Sequence, residues 1–418
     1  MDTLDLSYLA AVSLAGAGAR ACVRGVAEGW RVRLEATVPD LPAGGWIWLH
    51  AVSVGELLLG DGLLGRLRDL GHRIHVTTGT PAGLALLAKR LPAWDAGTGR
   101  VSGGAFPLDD PAGLAPFLAH PPAAFVALET ELWPNLLRVL EARGVPRCIV
   151  NGRLTERSLA RGGPWLRRAA SRLTLVAARD PESVEAFCRL GAPMVALGGN
   201  LKADLPPPPP LHAGWTSLRT AWARFPVLVA GNTLEGEEDL VLSVWEAVRA
   251  DVPELRLILA PRQPRRFQAV ATALLARGVR LRRASDGWPD PPARWEAVDV
   301  LLLDTLGELS AAYGEGTLAL VGGGWRGQGG HNPLEPVRAG VPTLLGPGFD
   351  NFIDLVPPLV TAGRVQVVGE AGLADAIRTV LRKAALRPSP GAGRLPEALI
   401  GALGRTLTLL EAHIPTPR

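Results

Sequence analysis

Cysteine is scarce in this 418-residue chain: Cys22, Cys148 and Cys188 stand far apart and form no C-x-x-C pair. Such a set builds neither a disulfide framework nor a thiolate zinc site, and it fits a reducing, cytoplasmic setting. Lysine occurs only at Lys89, Lys202 and Lys383, so arginine supplies nearly all the positive charge. No basic block is interleaved with aromatics, which argues against a nucleic-acid groove. A long hydrophobic run is missing too. Leu6 to Ala19 is apolar and uncharged, but it falls short of the roughly 18–20 residues that span a bilayer. No basic stretch precedes it, as a cleaved signal peptide would require. Arg20, Arg24, Arg31 and Arg33 follow it. The segment reads either as a helix lying in a membrane interface with arginines at the headgroups, or as an amphipathic packing helix.

What is present is enough for a large core. Hydrophobic residues make up 47% and charged residues 20%, with a net charge of +4 and a pI near 9.3. A chain of this length suits two domains. From Trp46 onward, short apolar runs alternate with helical patterns, the signature of a doubly wound parallel α/β sheet. Strands are expected at Trp46–Ala51, Ile74–Thr78, Phe125–Leu128, Cys148–Val150, Leu173–Ala177 and Met194–Leu197. A helix is expected from Glu56 to Leu70, ended by Gly71. Pro206–Pro210 is the clearest linker, because a proline run is stiff and extended. Beyond it the alternation resumes, with strands expected at Val227–Ala230, Leu255–Ala260, Val298–Leu303, Thr317–Val321, Thr343–Leu345 and Val365–Val368. A final helix is expected over roughly 396–413. The implied organisation is a membrane-proximal segment (1–35), a Rossmann-like domain (36–205), a linker (206–212), a second Rossmann-like domain (213–395) and a C-terminal helix and tail (396–418). The two domains are expected to face each other across a cleft. In such sheets ligands bind beyond the carboxyl ends of the strands, so the chemistry belongs in the loops that follow them.

Those loops carry the candidates. Ser53 and Glu56 have capping-box spacing, and Glu56 is also placed to act as a general base on a hydroxyl. Glu129 and Glu131 make an acidic pair after the Phe125–Leu128 run, or else complement a helix dipole. Lys202 offers an ammonium group, or is a surface lysine. In the second half Arg262 follows a strand with a planar fork suited to phosphate or carboxylate, and Gly307, Glu308 and Leu309 follow another. Gly329 and Gly330 lead through His331 and Asn332 to a helix start at Pro333, Leu334 and Glu335. Asn332 reads as N-cap and Pro333 as the first helical residue. The exposed N–H groups and the dipole would favour a phosphate, with Glu335 near a ribose. An ordinary capped βα turn is the alternative. No D-x-D motif or histidine cluster stands in the loops, consistent with metal-free chemistry and no cofactor.

Read together, WLHAVSVGE (48–56), ETELWPNLL (129–137), NGRLTERS (151–158), GNLKAD (199–204), APRQPRRF (260–267), LGEL (306–309), GGHNPLEP (329–336) and GPGFDNF (346–352) resemble the 3-deoxy-D-manno-octulosonic acid (Kdo) transferases of lipopolysaccharide biosynthesis. The motifs come in that family's order. The resemblance implies a metal-independent inverting glycosyltransferase of the GT-B fold at the cytoplasmic face of the inner membrane. It implies CMP-Kdo as donor and the lipid A precursor as acceptor. On this pattern Glu56 matches the general base, while Glu129 (by preference over Glu131) and Lys202 match groups that stabilise the transition state. Pro261, Arg262, Gly307 to Leu309 and Asn332 to Glu335 match the CMP loops, with Gly330 and His331 leading into them. Asn232-Thr233-Leu234 stands where the family commonly has Ser-Thr-His, Gln263 stands for a histidine, and Gly324 for a serine. Another nucleotide sugar as donor, or a silent module that binds without turnover, are the competing readings.

Overall fold

The apolar runs become parallel strands because both faces of each sheet are covered by helices, so continuous hydrophobic stretches are buried on both sides. The computed structural model describes residues 3–21, 28–34, 36, 45–161, 163–205, 213–288, 293–383, 385–388 and 393–417. The proline run and Arg24 lie outside them. The chain divides into two compact units, Met1–Pro206 with Gly401–Arg418, and Pro207–Ile400.

The first unit holds β1 (Trp46–His50), β2 (Arg73–Thr78), β3 (Val101–Ala105), β4 (Ala124–Leu128), β5 (Arg147–Gly152), β6 (Leu175–Ala178) and β7 (Val195–Leu197). Their order is β3-β2-β1-β4-β5-β6-β7, so the winding reverses between β1 and β4. The second unit holds β8 (Val227–Thr233), β9 (Arg256–Pro261), β10 (Leu281–Arg283), β11 (Val300–Leu302), β12 (Leu318–Val321), β13 (Thr343–Leu345) and β14 (Val365–Val367). Its order is β10-β11-β9-β8-β12-β13-β14, with the reversal between β8 and β12. Ligands of doubly wound sheets settle at such reversals, where adjacent loops turn to opposite faces and leave a crevice.

Two strands go beyond the sequence expectation. β3 reads VSGGA and β10 reads LRR, neither of which carries an apolar run. Both are outermost in their sheets, where a strand needs less apolar surface and charge on the edge deters further pairing. Helix starts follow local chemistry more closely. Thr80, Asp110 and Asp180 each cap a helix that opens with proline, each side chain accepting the N–H of the third residue on. The helix expected from Glu56 to Leu70 is two pieces, Val54–Leu59 and Asp61–Asp69, which break at Gly60. A Cβ there would lie 3.3 Å from Leu128, so the helix turns where it presses on β4.

The C-terminal helix covers Ala402–Glu411, later than the expected start near 396, and returns to the first unit. Asp204 sets its beginning, accepting the Gly401 N–H at 2.9 Å and the Leu403 N–H at 2.6 Å. Ala402, Leu407 and Leu410 join Leu63, Leu64 and Leu67 in one core.

The N-terminal helix, Thr3–Ala21, is docked on the first unit by two polar anchors. Asp5 pairs with buried Arg172 at 2.6 Å, and the Tyr8 hydroxyl donates to Asp109 at 2.9 Å. Leu6 and Leu14 nevertheless remain exposed at 51% and 75%. Packing and an apolar outer face therefore coexist. Among the described residues no helix is long and apolar enough to cross a membrane. Arg33, which the interface reading put at headgroups, donates to the Pro107 carbonyl at 2.8 Å and lies 4.5 Å over the Trp133 ring, as the packing reading has it.

Candidate active site

In the first unit the loops after β1 and β4 meet at the reversal. Ser53 caps the helix Val54–Leu59, its Oγ accepting the Glu56 N–H at 3.4 Å. The Glu56 carboxylate accepts the Val52 N–H at 2.8 Å and the Ser53 hydroxyl at 3.1 Å. The capping box is therefore real. A cap carboxylate in water would stay acidic, but here burial dominates. It raises the Glu56 pKa to about 7, with the charges of Glu131 and Glu129 adding to it against those two hydrogen bonds. The carboxylate that caps the helix is therefore also one lifted toward neutrality.

Glu129 continues the sheet ladder, donating its N–H to Val150 O at 3.0 Å, and then takes φ 58°. A side chain in the left-handed region costs of order 1 kcal/mol, and the cost sits here in the loop that carries the acidic pair. Asn151, at the end of neighbouring β5, is likewise left-handed at φ 52°. Its side-chain oxygen accepts the Leu201 N–H at 2.9 Å, and Asn200 accepts the Lys202 N–H at 3.0 Å. Asn151 thereby ties the short turn Leu201–Asp204, with half-buried Lys202, to the carboxyl edge of the sheet. Glu131 lies 3.7 Å from His50 Nε2. Asp109 fixes the far end of the acidic loop by accepting the N–H groups of Asn135 (3.0 Å) and Leu136 (2.7 Å) at the start of helix Pro134–Ala142.

In the second unit the organising group is Glu237, which is fully buried. Its carboxylate accepts the N–H groups of Leu234 (3.0 Å), Gly323 (2.7 and 2.9 Å) and Trp325 (3.0 Å). One side chain thus holds the loops after β8 and β12 together at the reversal. Gly330 N–H donates to Gly323 O at 3.0 Å, which sets the course of the chain into His331. His331 is half-buried. Burial first, and then the Arg262 charge, push its pKa down to about 4. Arg262 and His331 are therefore neighbours, and Arg262 N–H donates to Thr233 O at 2.9 Å just after Pro261 ends β9.

The helix after Asn332 is shorter than expected, Leu334–Arg338, and Pro333 is its N-cap instead of its first residue. Asn332 still caps it through its side chain, accepting the Leu334 N–H at 3.1 Å. A helix of five residues adds little dipole, and one of its free N–H groups is already used. The helix end is thus a weak anion site, and the positive charge acting on His331 beside it is that of Arg262. Glu335 accepts the Ser310 hydroxyl at 2.8 Å. Ser310 belongs to the helix Leu309–Tyr313, which follows Gly307 (φ 89°) and Glu308. A Cβ at Gly231 would collide with Tyr313 Oη and approach Leu309 to 2.8 Å, so this helix crosses the end of β8. Thr233 Oγ1, Tyr313 Oη and His331 Nε2 are buried without a hydrogen-bond partner. Buried polar atoms of this kind are usually paired, so these three are notable beside the candidate loops.

Residues 28–205 match the family model described as 3-Deoxy-D-manno-octulosonic-acid transferase (kdotransferase). The chain is 34% identical over 385 residues to the 3-deoxy-D-manno-octulosonic acid transferase of Bordetella pertussis, covering 88% of each. It is 35% identical to the enzyme of that name from Haemophilus influenzae, over 88% of this chain and 87% of that one. The chain belongs to the Kdo transferase family. Members of this family are glycosyltransferases, and the chain is one of them by descent. Its fold is also similar to that of the UDP-GlcNAc 2-epimerase of Neisseria meningitidis, with a TM-score of 0.56 at 12% identity, over 87% of this chain and 98% of that one. Each unit by itself is a seven-stranded, doubly wound parallel sheet, the kind of domain that GT-B glycosyltransferases contain.

The departures from the Kdo transferase pattern have local physical settings. Leu234 is buried, at 5% exposure, where a histidine would need a polar partner. Gly324 lies so close to the next glycine loop that a Cβ would come within 3.0 Å of Gly346 Cα. A serine there requires that loop to sit slightly farther off. His50, Asn151, Glu237 and Ser310 contact or position the candidate residues and loops, yet no spacing rule singles them out. Their roles arise from neighbours 20 to 100 residues away.

Proposed function

We propose that this protein transfers Kdo from CMP-Kdo to the lipid A precursor, lipid IVA, by an inverting reaction at the cytoplasmic face of the inner membrane. The observation that carries the proposal is Glu56, a carboxylate with a pKa near 7 beside two further glutamates. It has the basicity to take a sugar hydroxyl proton at physiological pH. The acceptor oxygen attacks the anomeric carbon of Kdo as Glu56 takes its proton. The bond from that carbon to the CMP phosphate breaks with its electron pair on the leaving phosphate, and the configuration inverts. Glu129, Glu131 and Lys202 provide charge for the oxocarbenium-like centre and the departing group.

The acceptor is assigned to the first unit, and the exposed leucines of helix Thr3–Ala21 suit a lipid surface. CMP is assigned to the second unit, with Arg262 on phosphate and Glu335, oriented by Ser310, on ribose. Pro261, Gly307 to Leu309 and Gly330 to Leu334 shape the pocket. No cofactor is required.

The test incubates the protein with a tetraacylated lipid A precursor and CMP-Kdo generated in the reaction, and reads products by mass. The expected result is a gain of one or more Kdo masses. CMP binding without any gain overturns the enzymatic reading, and gain only with another nucleotide sugar overturns the donor. Arg262→Ala is expected to raise KM for CMP-Kdo by roughly ten- to hundredfold with a smaller change in kcat, since a charge-assisted bond to phosphate is removed. Steady-state kinetics with varied donor checks this.

A further inference from the structure

His50 lies at the end of β1 in full burial, stacked 3.8 Å from the Phe106 ring. Its two ring nitrogens have different surroundings. Nδ1 is 3.1 Å from Thr77 Oγ1 and 3.0 Å from Thr77 O, while Nε2 makes no hydrogen bond and stands 3.7 Å from a Glu131 carboxylate oxygen. Burial pushes the His50 pKa down, so the ring is neutral and carries one proton.

The neighbours decide which nitrogen holds it. The Trp48 indole N–H, a donor only, gives its hydrogen to Thr77 Oγ1 at 2.8 Å. The Thr77 hydroxyl then has its own hydrogen to place, and His50 Nδ1 is the acceptor it meets. Nδ1 must offer a lone pair, which leaves the proton on Nε2. The other tautomer would send Nδ1–H to Thr77 O, which has a second lone pair beside the one that takes the Ala51 N–H at 3.0 Å. It would, however, strand the Thr77 hydroxyl hydrogen and set a lone pair against the Glu131 carboxylate. The first arrangement places the hydroxyl hydrogen and turns an N–H toward the carboxylate, with only the 3.7 Å gap to Glu131 left to close.

We propose that His50, held as the Nε2–H tautomer by Thr77 and Trp48, is a positioning residue that orients Glu131 within the acidic loop. The assignment rests on the proposed role of that loop in glycosyl transfer. At 3.7 Å the contact is too long for a hydrogen bond; on this proposal the carboxylate turns to close it when substrate binds, as catalytic contacts commonly tighten then. The oriented oxygen belongs to the glutamate whose charge acts most strongly on Glu56 after burial and the Val52 N–H. His50 therefore acts on the reaction through Glu131 and touches no substrate itself.

The histidine ring nitrogens of the 15N-labelled full chain report the tautomer directly, with the His50 signals assigned by their loss in His50→Gln. The expected wild-type spectrum has a protonated Nε2 and an unprotonated Nδ1, and a protonated Nδ1 overturns the proposal with no variant needed. Thr77→Val removes the hydroxyl while keeping the shape. It is expected to move the proton to Nδ1 and to lower kcat roughly ten- to hundredfold, with both KM values changed little. Thr77→Ser restores the hydroxyl and is expected to restore both the spectrum and the rate. A Thr77→Val protein with the proton moved and an unchanged kcat overturns the positioning role. The ring spectrum needs no substrate. A wild type with the expected tautomer and no glycosyl transfer therefore refutes the reaction while leaving the ring assignment standing.

Discussion

Glu56→Gln is expected to lower kcat/KM for transfer by a factor of ~10² to 10⁴, the usual loss when a general base is removed. Glutamine keeps the size of the side chain and one oxygen to accept the Val52 N–H, so the capping contact survives in part. Loss of rate with the fold retained is the result that separates base from cap. A variant that transfers as fast as wild type would leave Glu56 with its capping role alone. The pH profile adds a second signature. The Glu56 pKa is near 7, and the base works only when ionised. Wild-type kcat/KM is therefore expected to climb about tenfold per pH unit below that value and level off above it, whereas the residual rate of Glu56→Gln lacks this step.

Stability moves in the opposite sense. The Glu56 pKa is raised from 4.5 to about 7 in the folded state, so between these values the native protein binds the extra proton. Its stability then falls as pH rises through the window. Above it, Glu56→Gln is expected to be more stable than wild type by about 1–2 kcal/mol, after allowance for partial exposure. The two converge below pH 4.5, where both side chains are neutral. Denaturant titrations at the two ends of the range read this difference, and a variant equally stable at both would show that burial does not strain this carboxylate.

Glu237→Ala has the largest expected effect on stability. Three buried N–H groups, of Leu234, Gly323 and Trp325, lose their acceptor together. Removing the centre of such a network costs about 3–5 kcal/mol. The loss falls on the second unit, and CMP binding is expected to go with it because the glycine loop no longer has a fixed course. Glu237→Gln does not rescue it, since its amide N–H₂ would face N–H donors. Gly322→Ala reaches the same group from outside, because its Cβ would come within 2.7 Å of the Glu237 carboxylate and 2.7 Å of Thr233 Cα. Both variants are expected to unfold at lower denaturant than wild type and to bind CMP weakly in calorimetry. Full CMP affinity in Glu237→Ala would remove the carboxylate from the account of the donor loop.

These expectations draw on features of unequal legibility. Buried strands such as Ala124–Leu128 and Thr343–Leu345 are plain in the chain, since a run with apolar side chains on both faces can pack only between two layers. The strands VSGGA and LRR are not, because an edge position asks little of its side chains and their pairing comes from the neighbouring strand. Glu56, Glu129 and Glu131 stand out as carboxylates at strand ends. Glu237 does not, although it is buried and holds two loops, because in the chain it is one of a pair of glutamates opening an amphipathic helix. A single residue's burial depends on what the rest of the fold lays over it.

By itself, then, the sequence determined the alternation of strands and helices, the loops that carry carboxylates, arginine and glycines, and the order of motifs that marks the family. These are local properties, since periodicity and capping are written within a few residues. Only the tertiary structure decided that β1 lies beside β4 and β8 beside β12, which brings Glu56 to Glu131 and the Gly322–Gly324 loop to Thr233. It also decided that the last helix closes the first unit and that burial lifts one glutamate among several into the range of a base. The reason is the range of the forces. Which strands adjoin is settled by packing across the whole sheet, and a pKa is set by solvent and charges within a few ångströms in space, wherever they lie along the chain.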